Sequence, residues 1–141
     1  MKLSKHFTLE ELTVTTHKEL KERNRLSALS FLSDIEALAF FAEQVRAFIG
    51  VPMIISSGYR CEELNQKVGG AKNSQHLFFR AIDFVPKGMG IDECFEKIKS
   101  SPLVYHQLIK EFSGDSVWIH VGMGWERENL IYKNGKYRKV K

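Results

Sequence analysis

Two histidines and one aspartate of this chain could together hold a catalytic metal ion. His76 follows a polar segment, Asp83 lies in the apolar run 81–85, and His120 lies in a second apolar run at 117–122. Imidazole and carboxylate ligands suit Zn²⁺ at neutral pH, and a catalytic zinc site combines three protein ligands with an open position for water. The three side chains therefore predict a metal-dependent hydrolase, provided that the fold brings them together.

Two predicted strands have to present Asp83 and His120. Successive side chains of a strand alternate between its faces, so His120 shares a face with Trp118. If the two strands are antiparallel neighbours, the carboxylate of Asp83 and the imidazole of His120 come side by side. His76 stands seven residues before Asp83 and has to return from a loop. The alternative is that these groups are hydrogen-bonded core residues without an ion.

Helical patterns dominate the first half of the chain. Thr8 and Glu11 form a capping box, which predicts a short helix through about residue 12. A polar connector is expected at 15–24, followed by one long amphipathic helix over 27–49 that Gly50 ends. Further short helices are predicted at 61–68 and 91–99.

Strand patterns dominate the second half. They predict strands at 53–56, 81–85, 105–112 and 117–122, and a hairpin with arms at 130–133 and 136–139. Asn134-Gly135 at the hairpin tip is a strong turn signal. Because helices precede strands, the expected fold class is α+β, with an antiparallel sheet packed against helices.

Length and composition limit the kinds of protein this can be. A chain of 141 residues with 43% hydrophobic and 27% charged residues is expected to form a single globular domain, 1–141, without disulfides. Cys61 and Cys94 are expected to be reduced and partly buried. No apolar run is long enough for a membrane span, and no signal peptide is recognised. We expect a monomer that is made in the cytoplasm and has no membrane partner.

The net charge of +4 is concentrated in the C-terminal tail. The basic residues there are Lys133, Lys136, Arg138, Lys139 and Lys141. Such a tail is commonly a solvated end, and the sharper interpretation is attraction to a polyanion such as an anionic cell wall. Nucleic acid is not an expected partner, since no strand combines aromatic and basic residues in a recognition motif.

Several segments together resemble the zinc D-Ala-D-Ala carboxypeptidase family, peptidase family M15, which includes phage endolysins that cut peptidoglycan peptides. The similar segments are 56–60, 64–65, 68–70, 72–77 and 81–83, within a resemblance that runs from about residue 7 to 132. The family signature is Ser-x-His, an aspartate seven residues later, and a later Trp-x-His-Val. The resemblance implies the α+β fold shared by these peptidases and hedgehog domains.

The resemblance also implies roles for individual residues. His76, Asp83 and His120 would be ligands of Zn²⁺, and Arg60 and Ser74 would hold or polarise the substrate peptide. An arginine can bind a substrate carboxylate through two parallel hydrogen bonds. The alternative for Arg60 is a buried structural ion pair.

Two carboxylates are candidates for the general base. Several relatives carry an acid three residues before the last histidine, where this chain has Val117. In hedgehog domains a glutamate ends the preceding strand, in a context similar to residues 108–111. Glu111 is therefore the first candidate, and Asp115 is the second.

The pair Phe78-Phe79 departs from the family pattern, which has a small residue and a glycine there. Glycine commonly marks a positive φ or a close backbone approach. Phenylalanine at residue 79 therefore predicts an altered loop and a narrower or more apolar substrate cleft.

The expected function is hydrolysis of an amide bond in peptidoglycan stem peptides, by a D-Ala-D-Ala carboxypeptidase or an endolysin. A phage lysis enzyme that a holin releases to the wall would fit the resemblance. The alternative is a non-catalytic, zinc-containing cell-wall binding module, which the absence of an acid at Val117 and the Phe78-Phe79 pair would favour.

Overall fold

The computed structural model describes residues 1–141. Met1–Glu43 and Ile55–Ile82 form one compact unit, and Gln44–Ile54 and Asp83–Lys141 form a second. None of the helices combines the length and apolar character that a membrane span requires. The single domain expected from the length of the chain stays a prediction.

The first unit begins with helix α1, Leu9–Leu12, which the capping box of Thr8 and Glu11 opens as predicted. A 3₁₀ turn at Lys18–Leu20 and helix α2, Lys21–Leu29, follow. The prediction of a polar connector at 15–24 was therefore wrong for most of its length. Asn24 explains how this polar helix packs, because it is fully buried with every side-chain polar atom bonded to the backbone.

The predicted long helix over 27–49 is two helices, and the second is α3, Leu32–Ile49. Between them, the N–H groups of Ser30 and Phe31 bond to carbonyls only three residues back, at 3.2 and 2.9 Å. This tight turn stops the α-helical ladder. The apolar stripe is buried from Ile35 to Ile49, whereas Leu32 before it is 40% exposed. Gly50 ends α3 with a φ of 78°, as expected.

The remaining helices are close to their predicted positions. They are α4, Glu62–Lys67, a 3₁₀ helix at Gln75–Phe78, and α5, Ile91–Lys99. Cys61 and Cys94 are both free and buried. Burial raises the pKa of the Cys94 thiol to about 12, so this thiol stays protonated and unreactive at neutral pH.

Six strands form one sheet in the order β1-β2-β4-β3-β5-β6. The strands are β1 Met53–Ser57, β2 Ala81–Pro86, β3 Gln107–Ser113, β4 Ser116–Gly122, β5 Glu128–Lys133 and β6 Lys136–Lys139. The fold class is α+β, as predicted. The hairpin of β5 and β6 turns at Asn134 and Gly135, whose φ values of 53° and 74° fit this tight connection.

The sheet is mixed rather than wholly antiparallel, because β3 and β5 pair in parallel. β3 and β4 form an antiparallel hairpin, and β5 then joins the other edge of β3. Backbone hydrogen bonds hold both ends of the loop between β4 and β5. The N–H of His106 donates to the carbonyl of Gly122, and the N–H of Arg127 donates to the carbonyl of Tyr105. These contacts join residues far apart in sequence, so strand patterns alone did not reveal them.

Candidate metal centre

Strands β2 and β4 are neighbours in the sheet and bring Asp83 and His120 together. Oδ1 of Asp83 lies 2.8 Å from Nδ1 of His120, and the two side chains are only 14% and 11% exposed. This agrees with the arrangement that the alternation of strand side chains predicted. Both ligand-type atoms are thus partly shielded from water, where a metal ion would gain most from them.

His76 reaches the same group from the 3₁₀ helix at Gln75–Phe78, not from a strand. Ser74 caps this helix, and its hydroxyl accepts the backbone N–H of His76 at 3.2 Å. The imidazole is 2% exposed, and its Nδ1 lies 2.7 Å from the carbonyl oxygen of Gly58. Since a carbonyl can only accept, we assign the proton to Nδ1, which leaves the lone pair on Nε2 for a metal.

Gly58 can hold His76 in this way because it has no side chain. A Cβ atom at Gly58 would lie 2.4 Å from the carbonyl oxygen of Leu12, closer than real Cβ contacts allow. The next residue, Tyr59, donates its N–H to that same Leu12 oxygen at 2.8 Å. A histidine ligand whose second nitrogen donates to a backbone carbonyl is the usual arrangement at protein metal sites.

One ligand atom from each of His76, Asp83 and His120 lies within 4.8 Å of the others. Two imidazoles and one carboxylate match the donor set of catalytic zinc sites, and the orientation of His76 by Gly58 fits the same use. The residues present therefore fit a bound Zn²⁺ ion.

Arg60 and Ser74 are hydrogen-bonded to each other beside His76. The guanidinium of Arg60 donates to the hydroxyl of Ser74 at 3.2 Å, and the Arg60 backbone N–H donates to the carbonyl of His76 at 3.2 Å. The structure thus groups both predicted substrate-binding residues with one predicted ligand. The Ser74 hydroxyl connects them, since it also accepts from the backbone of His76.

The two candidate bases occupy different places. Glu111 on β3 has its Oε1 atom 3.6 Å from Nδ1 of His120, and its side chain is 19% exposed. Asp115 lies in the exposed turn between β3 and β4, beyond the end of the strand that carries Glu111. The geometry brings Glu111 to the group and leaves Asp115 at the hairpin tip.

A family model described as Peptidase M15 matches residues 5–122, which include His76, Asp83 and His120. The chain belongs to peptidase family M15. No curated protein matches the chain.

In this M15 family member, the residue three positions before the last histidine is Val117, which has no group that can accept a proton. A base therefore has to come from another element of the site. Glu111 instead pairs directly across from Trp118, which shares the His120 face. The Glu111 carboxylate on β3 is therefore on the sheet face that also carries His120.

Phe79 keeps the backbone conformation that a glycine would adopt. It ends the 3₁₀ helix with a φ of 59°, which is unusual for a bulky residue. The sequence predicted an altered loop because phenylalanine rarely adopts a positive φ. Phe79 nevertheless adopts this positive φ. Its ring stacks on Tyr59 with centroids 4.0 Å apart and an interplanar angle of 7°, and this contact offsets the backbone strain.

Sequence reasoning gave no role to Gly58, Gln75 or Trp118 in this M15 site. The indole N–H of Trp118 and the amide oxygen of Gln75 are buried and make no hydrogen bond. Gln75 directly precedes His76, and Trp118 lies two residues before His120. The sequence could have pointed to Gln75 and Trp118 only through their closeness to His76 and His120. The role of the Gly58 carbonyl depends on tertiary contacts, which the sequence does not show.

Proposed function

We propose that this M15 family member is a zinc-dependent peptidase that hydrolyses an amide bond in peptidoglycan stem peptides. The observation that supports this most strongly is the convergence of His76, Asp83 and His120, whose ligand atoms lie within 4.8 Å of one another. Within a peptidase family, a group of two imidazoles and one carboxylate is best explained as a catalytic zinc site.

In this proposal, Glu111 is the general base. A bound Zn²⁺ ion would supply Lewis-acid polarisation of the scissile carbonyl and lower the pKa of water. Glu111 accepts a proton from the attacking water and delivers it to the nitrogen of the leaving amine. Its distance of 3.6 Å from Nδ1 of His120 and its partial burial support this role.

Arg60 and Ser74 are proposed to orient the substrate. The Arg60 guanidinium can bind a peptide carboxylate, and the Ser74 hydroxyl can donate to a peptide carbonyl. Their mutual hydrogen bond and their link to the His76 backbone hold both groups at the proposed metal centre. This would fix the position of the peptide relative to Glu111.

We also propose that the basic strand β6 favours an anionic cell wall. Lys136, Arg138 and Lys139 are exposed on this strand at the sheet edge. Clustered positive charge raises the local concentration of an anionic polymer at low ionic strength. The protein would work as a monomer at the wall.

A second candidate is a non-catalytic wall-binding module that keeps zinc for stability. The observation in its favour is Phe79, because its ring occupies space in the loop after His76 that the glycine of the family pattern would leave open. In this case the three ligands would stabilise the fold, and Glu111 would have no proton to transfer.

Digestion of purified peptidoglycan distinguishes the two candidates. We expect new amine ends to appear with the zinc-loaded protein, to disappear after chelation, and to return when zinc is restored. Mass spectrometry of the released peptides would identify the cleaved bond. Binding to the wall without new amine ends would favour the module instead.

A further inference from the structure

A cavity of about 500 Å³ opens in the first unit and has no role in the chemistry described above. Its volume lies within the usual range of sites that bind small molecules. Four aromatic residues form much of its wall: Phe31, Tyr59, Phe78 and Phe79. Three charged residues also line it: Asp34, Glu62 and Lys72.

The aromatic wall is held in place before any ligand binds. The Tyr59 hydroxyl is hydrogen-bonded to Ser27 at 2.7 Å, and the Tyr59 ring stacks on Phe79. Phe31 lies against Phe79 with ring centroids 5.8 Å apart. A bulky side chain kept at a positive φ is a form of strain that clusters at ligand-binding sites. The fixed ring of Phe79 thus gives the cavity a defined shape.

Part of the aromatic surface faces solvent. Phe78 is 56% exposed and Phe31 is 51% exposed, although both rings line the same cavity. Exposed apolar surface of this kind, bordered by charged side chains, commonly marks a binding site.

Three segments that line the cavity also carry the proposed site residues. Tyr59 directly precedes Arg60, Lys72 is two residues before Ser74, and Leu77 directly follows His76. A substrate bound through Arg60 and Ser74 would therefore lie along segments that also line the cavity.

We infer that the cavity binds an aliphatic substrate side chain that ends in a zwitterionic amino-acid head. The aromatic rings would contact the aliphatic stem, and an ammonium group would be attracted by the carboxylates of Asp34 and Glu62. A carboxylate at the same end would pair with Lys72. An apolar cavity with both positive and negative side chains around it suits a zwitterionic ligand better than it suits a neutral one.

This inference rests on the proposed function and names the residue of the stem peptide that is recognised. The third residue of many stem peptides is a diamino acid. The side chain of diaminopimelic acid ends in an ammonium and a carboxylate group, whereas that of lysine ends in an ammonium group alone. A methyl side chain such as that of alanine would leave most of a cavity of about 500 Å³ unfilled.

The test measures the affinity of three synthetic stem pentapeptides that differ only at the third residue. The residues are meso-diaminopimelic acid, lysine and norleucine, and calorimetry is done on the full-length, zinc-loaded Glu111→Gln protein to prevent turnover. We expect the diaminopimelic peptide to bind about tenfold more tightly than the lysine peptide, the effect of one charge-assisted contact. The norleucine peptide should bind most weakly.

Lys72→Glu provides the decisive variant, with Lys67→Glu as its matched control. Both make the same change of charge in the first unit, but only Lys72 is a lining residue of this cavity. Lys72→Glu should abolish the preference for the diaminopimelic peptide or reverse it in favour of lysine, and Lys67→Glu should keep it. The inference is overturned if all three peptides bind equally, if norleucine binds best, or if the two variants behave alike.

Hydrolysis of the same peptides by the unmutated protein separates this inference from the proposed function. Zinc-dependent cleavage without any difference in affinity would overturn the cavity assignment alone. A clear preference without any cleavage would support the cavity assignment and overturn the proposed peptidase.

Discussion

At the scale of single residues, the orientation of His76 depends on the backbone of Gly58. Its carbonyl lies 2.7 Å from Nδ1 of His76, and the absence of a side chain lets it approach Leu12. Asp83 and His120 could be paired from strand alternation, because both belong to regular strands. The role of Gly58 could not be predicted in this way, since it depends on a contact between segments that are far apart in sequence.

Replacing Gly58 by alanine is therefore expected to affect both stability and metal binding. The added Cβ would lie 2.4 Å from the Leu12 oxygen, so the backbone has to shift. We expect a loss of about 1–3 kcal/mol in the free energy of unfolding. Displacement of the Gly58 carbonyl should also weaken zinc binding by about 10–100-fold. Urea denaturation and competition with a chromophoric chelator measure the two effects.

Gly90→Ser is a matched control for this substitution. A Cβ at Gly90 meets no atom within 4 Å, and a serine there can cap α5. Its stability should stay within about 0.5 kcal/mol of the unmutated protein. Unchanged stability and zinc affinity in Gly58→Ala would refute the role given to Gly58.

Replacing each of the two candidate bases, Glu111 and Asp115, should have opposite effects on catalysis. Glu111→Gln keeps the shape of the side chain but removes the base, so kcat should fall by about 10²–10⁴-fold while the zinc content stays unchanged. Asp115→Asn changes an exposed hairpin tip and should keep nearly full activity. Steady-state hydrolysis of a stem peptide, with metal analysis of each variant, measures both. A reversed pattern would identify Asp115 as the base.

At the scale of elements, α3 anchors the N-terminal segment through Glu43. Its carboxylate accepts hydrogen bonds from the Ser4 hydroxyl and the His6 backbone N–H, each at 2.6 Å, and contacts Nδ1 of His6 at 2.7 Å. Burial raises the pKa of Glu43, but these hydrogen bonds outweigh it and hold the pKa below its usual value of 4.5. The charged carboxylate is therefore the form that stabilises the fold.

The lowered pKa of Glu43 predicts a dependence of stability on pH. A carboxyl group of lowered pKa stabilises the fold above its unfolded pKa of about 4.5, and this contribution is lost as the pH falls through the folded value. At pH 7, Glu43→Gln should be less stable than the unmutated protein by up to about 1 kcal/mol, allowing for solvent screening. The difference should narrow towards pH 3, because the contribution is lost as the pH falls below 4.5 and through the folded pKa.

Urea denaturation at the two pH values measures this effect, with Glu36→Gln as the control. Glu36 is exposed on the same helix, so its replacement should change little at either pH. A difference between Glu43→Gln and the unmutated protein that persists undiminished near pH 3 would contradict the assignment.

The elements also show where prediction from sequence ends. The bounds of α5 were predicted correctly because its apolar spacing and its flanking glycine and proline are local signals. The break at Ser30 and Phe31 was missed, since helical apolar spacing continues across it. The parallel pairing of β5 with β3 was missed as well, because it depends on contacts of Tyr105 and His106 with a loop after β4.

In the whole molecule, a cluster of basic residues lies on an edge strand of the sheet. β6 is fully exposed and carries Lys136, Arg138 and Lys139. Lysine and arginine on an edge strand discourage pairing between sheets of two molecules. The same residues would attract an anionic wall, so one surface can favour both a monomer and its proposed substrate.

We propose that one zinc ion, held by His76, Asp83 and His120, makes this M15 family member a peptidase. The most direct test titrates zinc into the metal-stripped protein and follows cleavage of a stem peptide by mass spectrometry. Activity should rise in proportion to zinc and level off near one equivalent per chain, as expected for a site with one set of three ligands. No cleavage at any zinc concentration, or cleavage that stripping does not reduce, would contradict the claim.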